Sequence, residues 1–202
     1  MNKIILASAS PRRRELLAQI GMDFEVIPSN IEEKTTSHVP FEMVMELSEM
    51  KAIDTFRKLS EEKRNSAIVV GADTVVALEN QIMGKPGSRK AAENMLSLLQ
   101  GETHQVYTGV TLIWQKEKEK QPSKISFYEK TEVSMYPMSM QEISGYVDTG
   151  EPMDKAGAYG IQGKCAAFIK GICGDYYNVV GLPISRLYQE IKKINDKDTS
   201  YD

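Results

Sequence analysis

Ala67-Ile68-Val69-Val70-Gly71-Ala72-Asp73-Thr74-Val75-Val76 is the stretch that decides how this chain folds. It reads as a strand buried on both faces, and such a run belongs at the centre of a sheet covered by helices. Gly71 and the polar pair Asp73-Thr74 interrupt it. A carboxylate inside an apolar strand is costly to bury unless it is paired or bound to a metal, so the strand is expected to reach a cleft at Asp73. The structural reading of Asp73 is a backbone contact or a pairing with Lys51 or Lys85. The functional reading is a Mg²⁺ ligand, a general base for water, or both.

Outward from that strand, helices and strands alternate. Towards the N-terminus, Lys3 to Ala7 reads as a buried strand, then comes a polar turn and a helix. Ser10 suits the N-cap, Pro11 the first helical position and Gly21 the stop, while Leu16, Leu17 and Ile20 supply an apolar stripe. Phe24 to Pro28 is a second strand, and Ser29 to Val39 a polar stretch holding Glu32-Glu33. Pro40 opens a helix to about Lys58, with Phe41, Val44, Leu47 and Ala52 at helical spacing.

Towards the C-terminus, Leu78 to Gln81 is a turn leading to Gly84-Lys85-Pro86, and Arg89 to Leu99 is a helix stopped by Gly101. Thr103 to Gln115 and Ile125 to Met135 read as two long strands joined by an exposed charged tip, 116–122. Ser139 and Glu142 form a capping box for a helix ending near Gly150. Glu151 to Gly163 is a glycine-bearing functional loop, Ala166 to Ile169 a last strand, and Ile184 to Asn195 a final helix before a fraying tail, 196–202. This order predicts an α/β fold, a mixed central twisted sheet flanked by helices, in a single domain over residues 1–202.

Composition narrows the function classes. In 202 residues, 41% are hydrophobic and 26% charged, which is ordinary for a soluble globular protein. A net charge of −3 argues against binding nucleic-acid polymers or membrane surfaces, but leaves room for a local basic pocket. No targeting segment or membrane-crossing run is visible, and the expected location is cytoplasmic. Cys165 and Cys173 are expected to be reduced structural thiols, and two histidines, His38 and His104, supply a zinc site poorly.

The turn Ser8-Ala9-Ser10-Pro11-Arg12-Arg13-Arg14 carries the strongest local signal. A strand feeding a serine-rich turn into a helix start aims free N–H groups and the positive dipole end at an anion. Ser8 and Ser10 add hydroxyls, and Arg12 and Arg13 can fork onto phosphate oxygens; the plainer reading is a capped helix with solvated arginines. Lys51, Lys85 and Lys155 fall near turns, where with the arginines they could neutralise a triphosphate–metal complex. Glu33 could add a second carboxylate beside Asp73.

Five ordered blocks resemble the Maf family: Leu6 to Arg13, Gly71 to Val76, Gly84 to Pro86, Tyr107 to Val110, and Glu151-Pro152-Met153-Asp154-Lys155-Ala156-Gly157-Ala158-Tyr159-Gly160-Ile161-Gln162-Gly163. The resemblance implies two lobes around a cleft, a fold similar to the inosine triphosphate pyrophosphatases, and a homodimer. It also implies a house-cleaning nucleoside triphosphate pyrophosphatase that cleaves between the α- and β-phosphates, with a link to septum formation. The last block looks like the branch acting on dTTP and UTP. By motif, the resemblance puts substrate discrimination on Arg12, Thr74 and Gln162 and the proton acceptor on Asp73, and the Asp154–Gln162 loop beside the substrate. A Gln162 amide, donor and acceptor together, could meet O4 and N3–H of thymine or uracil.

The expected mechanism places a divalent ion on Asp73 and Glu33, Mg²⁺ first with Mn²⁺ or Co²⁺ as alternatives. Asp73 takes the proton of the attacking water, while Arg12, Arg13, Lys51, Lys85 and Lys155 stabilise the phosphates. The rival readings are a cell-division regulator that binds nucleotide with little hydrolysis, and a nucleotidyltransferase in which an acceptor hydroxyl replaces water.

Overall fold

The computed structural model describes residues 2–116, 119 and 121–199. It opens with β1 (Lys3–Leu6), α1 (Pro11–Gln19), β2 (Phe24–Val26), α2 (Pro40–Lys58), α3 (Glu61–Ser66), β3 (Ala67–Leu78) and the short β4 (Gln81–Met83). There follow α4 (Arg89–Leu99), β5 (Thr103–Trp114), β6 (Ser123–Met135), α5 (Met140–Val147), three 3₁₀ turns between Glu151 and Phe168, β7 (Ile169–Cys173), α6 (Tyr176–Val180) and α7 (Ile184–Thr199). Residues 117, 118 and 120 of the expected tip, and 200–202 of the expected tail, lie outside the described residues. No helix among the described residues is long and apolar enough to cross a membrane.

The elements form one mixed sheet of seven strands in the order β2-β1-β3-β5-β6-β7, with β4 added to β3. β1 runs parallel to β2 and β3, and the remaining pairs are antiparallel. Fold class and central strand are therefore as the sequence indicates. Prolines fixed near the helical φ open α1 and α2, and the Ser139–Glu142 capping box opens α5.

Three expectations need correction. The last strand lies at Ile169–Cys173, because Lys164–Phe168 turns as a 3₁₀ segment first. β4 was read only as the end of a turn; Glu79 and Asn80, at φ of 49° and 69°, make a two-residue hairpin that pairs Leu78 with Gln81. Ser10 occupies the N-cap of α1, but its side chain caps nothing.

Two features of β3 prepare the site. The first is a gap along one edge. β1 pairs with Ala67 to Val70 and β4 with Val76 to Leu78, so the Gly71–Val75 edge between them has neither neighbour. The other edge stays paired with β5 throughout. The strand thus carries its polar pair into a cleft without ending.

The second feature is the close seat of α2. Gly71 is no interruption: a Cβ there would overlap the Ser48 carbonyl oxygen, and one at Gly109 would overlap that of Val44. Gly109 is the β5 partner of Asp73. The two glycines let the α2 backbone lie directly on the sheet, where Ser48 Oγ meets Thr111 Oγ1 at 3.0 Å. Apolar residues finish that layer, with Ala52, Phe56 and Leu59 against Ile5, Val69 and Ile113.

On the opposite face the same long strands support two separate apolar clusters. One joins Ile68, Val70, Ala72 and Val110 to α1 and α7; the other joins Val76, Val106 and Val133 to α4 and α5. Thr74 and Thr108, paired across β3 and β5 at 2.9 Å, form the polar seam between them. A Gly71→Ala substitution is expected to lower stability by about 1–3 kcal/mol through forced separation of helix and sheet. The urea midpoint should fall with little change in slope; an unchanged midpoint contradicts the close seat.

Candidate functional site

The cleft opens over the β3 gap and encloses about 990 Å³. The turn after β1, the Glu33 loop, the β3 gap, the segment after β4 and the Glu151–Gly163 loop all contribute to its walls. The residues singled out from the sequence, Ser8, Ser10, Arg12, Arg13, Glu33, Lys51, Asp73, Thr74, Lys85, Asp154, Lys155 and Gln162, all line it.

Lys51 reaches from α2 and places its Nζ 2.6 Å from Asp73 Oδ1 and 2.7 Å from Glu33 Oε1. Asp73 is therefore paired, which answers the cost of placing it in an apolar strand. Burial alone would raise Glu33, but the Lys51 hydrogen bond and charge, followed by the charges of Lys85 and Arg13, hold it below the ordinary carboxylate range. Lys85 is exposed and, among the described residues, makes no ion pair; its charge reaches Glu33 across the cleft.

The three adjacent arginines separate. At about 100° per residue along a helix they must point differently. Arg14 is exposed, while Arg12 spans the cleft and donates to Asp154 Oδ2 at 2.8 Å. Arg13 is buried and donates to the Gly181 carbonyl at 2.8 Å, Ser8 Oγ at 3.0 Å, the Ala72 carbonyl at 2.9 Å and Thr74 Oγ1 at 3.0 Å. The Ala72 contact lies on the open β3 edge. Arg13 thus ties the turn, the gap and the α6 end together, and most of its donors go to protein oxygens rather than outward.

The turn itself stays available to an anion. Ser10 leaves the first-turn N–H groups of α1 without a side-chain cap, and its own N–H donates to Ser8 Oγ at 3.3 Å. Unspent donors at the start of a nine-residue helix, with Arg12 beside them, suit a phosphate group.

On the facing wall Lys155 Nζ donates to Asp154 Oδ1 and to the Glu151 carbonyl, both at 2.7 Å. Burial would raise Asp154, but Lys155 and Arg12 outweigh it and keep the carboxyl low. Gln162 is exposed on the cleft and makes no hydrogen bond to protein among the described residues.

Asp73 and Glu33 fit a hard divalent cation. Both carboxylates face one point, where Lys51 Nζ now sits. No third His, Cys, Asp or Glu completes a cluster among the described residues. The remaining oxygens would come from phosphate and water, which is the usual manner of Mg²⁺. Both cysteines are unpaired; Cys165 is buried and pushed up to about 12 by burial.

Tyr159, Tyr146, Glu151 and His104 escaped the sequence reading as site residues. Tyr159 and Glu151 line the cleft, and behind Tyr159 the buried His104 Nε2 meets its hydroxyl at 2.8 Å. The clue was Glu151 and two glycines, Gly160 and Gly163, in one short polar loop.

A family model described as Maf-like protein matches residues 3–194. A relative in Agathobacter rectalis named dTTP/UTP pyrophosphatase is 53% identical over 202 residues, covering 96% of this chain and 98% of its own. Relatives of the same name in Lachnoclostridium phytofermentans and Bacillus anthracis are 48% and 49% identical, each over 96% of this chain and 95% and 97% of their own. A solved structure described as the Staphylococcus aureus Ham1 protein gives a TM-score of 0.36 at 14% identity, over 65% of this chain and 72% of that one, too slight a likeness to bear on the fold.

Burial lowers the His104 pKa from 6.5 to about 4. A base depressed in the folded state favours folding when neutral. His104 is therefore expected to withdraw stability as pH falls from 6.5 towards about 4, on the order of 3 kcal/mol in all. The ¹⁵N shifts of its ring should stay those of a neutral imidazole down to about pH 4; titration near 6.5 contradicts this burial.

Proposed function

The chain belongs to the Maf-like protein family, and on that premise we propose that it is a nucleoside triphosphate pyrophosphatase. It hydrolyses dTTP and UTP between the α- and β-phosphates, giving the monophosphate and pyrophosphate. The observation that carries this reading is one cleft that holds two kinds of group. The charged cluster of Asp73, Glu33, Lys51 and Lys85 and the uncapped start of α1 line it. The Gln162 amide lines it too and, among the described residues, makes no hydrogen bond to protein.

The triphosphate lies along the charged residues. The α1 N–H groups with Ser8, Ser10 and Arg12 receive phosphate oxygens, and Lys85 and Lys155 offset their charge. Arg13 acts from behind, holding Ser8 and Thr74 in place. Lys51 has two carboxylates as partners and can exchange one for a phosphate oxygen without becoming unpaired. Asp73 faces the cleft at the strand gap and accepts the proton of the attacking water.

Asp73 and Glu33 would hold a divalent ion, most simply Mg²⁺. Such an ion supplies charge neutralisation to the phosphates and a lowered pKa to a bound water. From the loop wall of the same cleft, Gln162 offers a donor and an acceptor to N3–H and O4 of a thymine or uracil ring. Thr74, held by Arg13 and Thr108, lines the same cleft on the polar seam.

Asp73→Asn should lower kcat on UTP by about 10²- to 10⁴-fold, the range of a lost general base. Nucleotide affinity should remain close to that of the unaltered enzyme in equilibrium titration. Near-normal turnover by Asp73→Asn would sink the assignment. Pyrophosphate release from UTP with no sugar phosphate added separates hydrolysis from nucleotidyl transfer and from mere binding.

A further inference from the structure

The Gly160–Gly163 turn carries Gln162, yet the Gln162 side chain makes no hydrogen bond that would orient it among the described residues. Its direction must come from the backbone, and the backbone is held from below by two side chains. Tyr146, buried on α5, donates its hydroxyl to Glu151 Oε1 at 2.9 Å. The same hydroxyl accepts the Gly160 N–H at 3.1 Å. The second oxygen, Glu151 Oε2, accepts the Lys164 N–H at 3.0 Å. The turn therefore hangs at its first residue from Tyr146 and just past its last from Glu151.

The fit leaves no slack. A Cβ on Gly163 would overlap the Glu151 carboxylate, and one on Gly160 would lie 2.7 Å from Lys155 Cε. Burial raises the Tyr146 hydroxyl first, and the neighbouring Cys165 and Glu151 raise it further, so it remains a donor. Among the described residues, neither Tyr146 nor the Glu151 carboxylate bonds to Asp73, Glu33, Lys51 or Lys85.

We propose that Tyr146 and Glu151 are positioning residues for base recognition: they suspend the 160–164 segment so that the Gln162 amide meets the pyrimidine edge at a fixed depth. The inference rests on the reading of Gln162 as the residue that meets the base. Loosening the suspension should cost discrimination between bases and leave the phosphate chemistry in place. An amide that wanders meets a uracil edge less often and excludes a purine less well.

The test compares kcat and KM for UTP and ATP in the intact enzyme, Tyr146→Phe, Glu151→Gln, Gln162→Ala and the Tyr146→Phe/Gln162→Ala pair. Tyr146→Phe strands one half-buried N–H and one carboxylate oxygen, and Glu151→Gln keeps the shape but only one acceptor. Each should lower the UTP-over-ATP ratio in kcat/KM about tenfold, chiefly through KM for UTP. Adding Tyr146→Phe to Gln162→Ala should lower the ratio little further, since both act on one contact. Hydrogen exchange at the Gly160 and Lys164 amides should quicken while β3 and β5 keep their protection.

Equal loss on both nucleotides, with the ratio kept, is what a merely structural role gives and overturns the proposal. If Gln162→Ala loses the preference and both Tyr146→Phe and Glu151→Gln retain it, this inference alone falls. A wild-type enzyme without a UTP preference, or a Gln162→Ala variant that retains it, overturns the reading of Gln162 and this inference together.

Discussion

The close approach of α2 to the sheet is the constraint on which the site depends. Any side chain at Gly71 or Gly109 would collide with the backbone of α2. Only with that helix seated on β3 and β5 does Lys51 come within 2.6 Å of Asp73. Without Lys51, a carboxylate with 12% of its side chain exposed would lose its ion-pair partner and keep only the charge of Arg13 near it, and breaking such a buried pair costs several kcal/mol. The packing of the layers and the electrostatics of the cleft are thus one problem, solved by two missing methyl groups.

The gap in β3 is the second half of the same solution. Parallel pairing from β1 ends at Val70, and the β4 hairpin returns at Val76. In between, Arg13 takes the Ala72 carbonyl, so that group of the open edge is satisfied by a side chain rather than a strand. Arg13 remains charged despite its burial because guanidinium holds its proton tightly, and four protein oxygens receive it. A rigid, cationic floor results, with the exposed Lys85 and the cleft-spanning Arg12 above it.

Much of this was legible in the sequence wherever the signal is local. Pro11 and Pro40 announce helix starts, Gly21 and Gly101 helix ends at positive φ, and the Ser139–Glu142 box forms as read. The expectation that β3 meets a cleft at Asp73 was right, because an ionised group in an apolar run has few other homes. The reason, a change of edge partner, could not be read, since pairing is set by residues distant in sequence. β7 was misplaced because its side chains are mostly exposed and lack alternation. Arg12 and Arg13 both read as forks for phosphate, but helical rotation sends Arg13 inward and Arg12 across the cleft. Glu151 was hidden by its role, since a carboxylate beneath a glycine turn has no sequence period.

Cleavage of a pyrimidine nucleoside triphosphate between its α- and β-phosphates is open to direct observation by time-resolved ³¹P NMR of the protein with dTTP. One dTMP and one pyrophosphate should appear together from the first turnovers. Initial formation of dTDP with orthophosphate, or no turnover by a protein that binds dTTP, would contradict this reading.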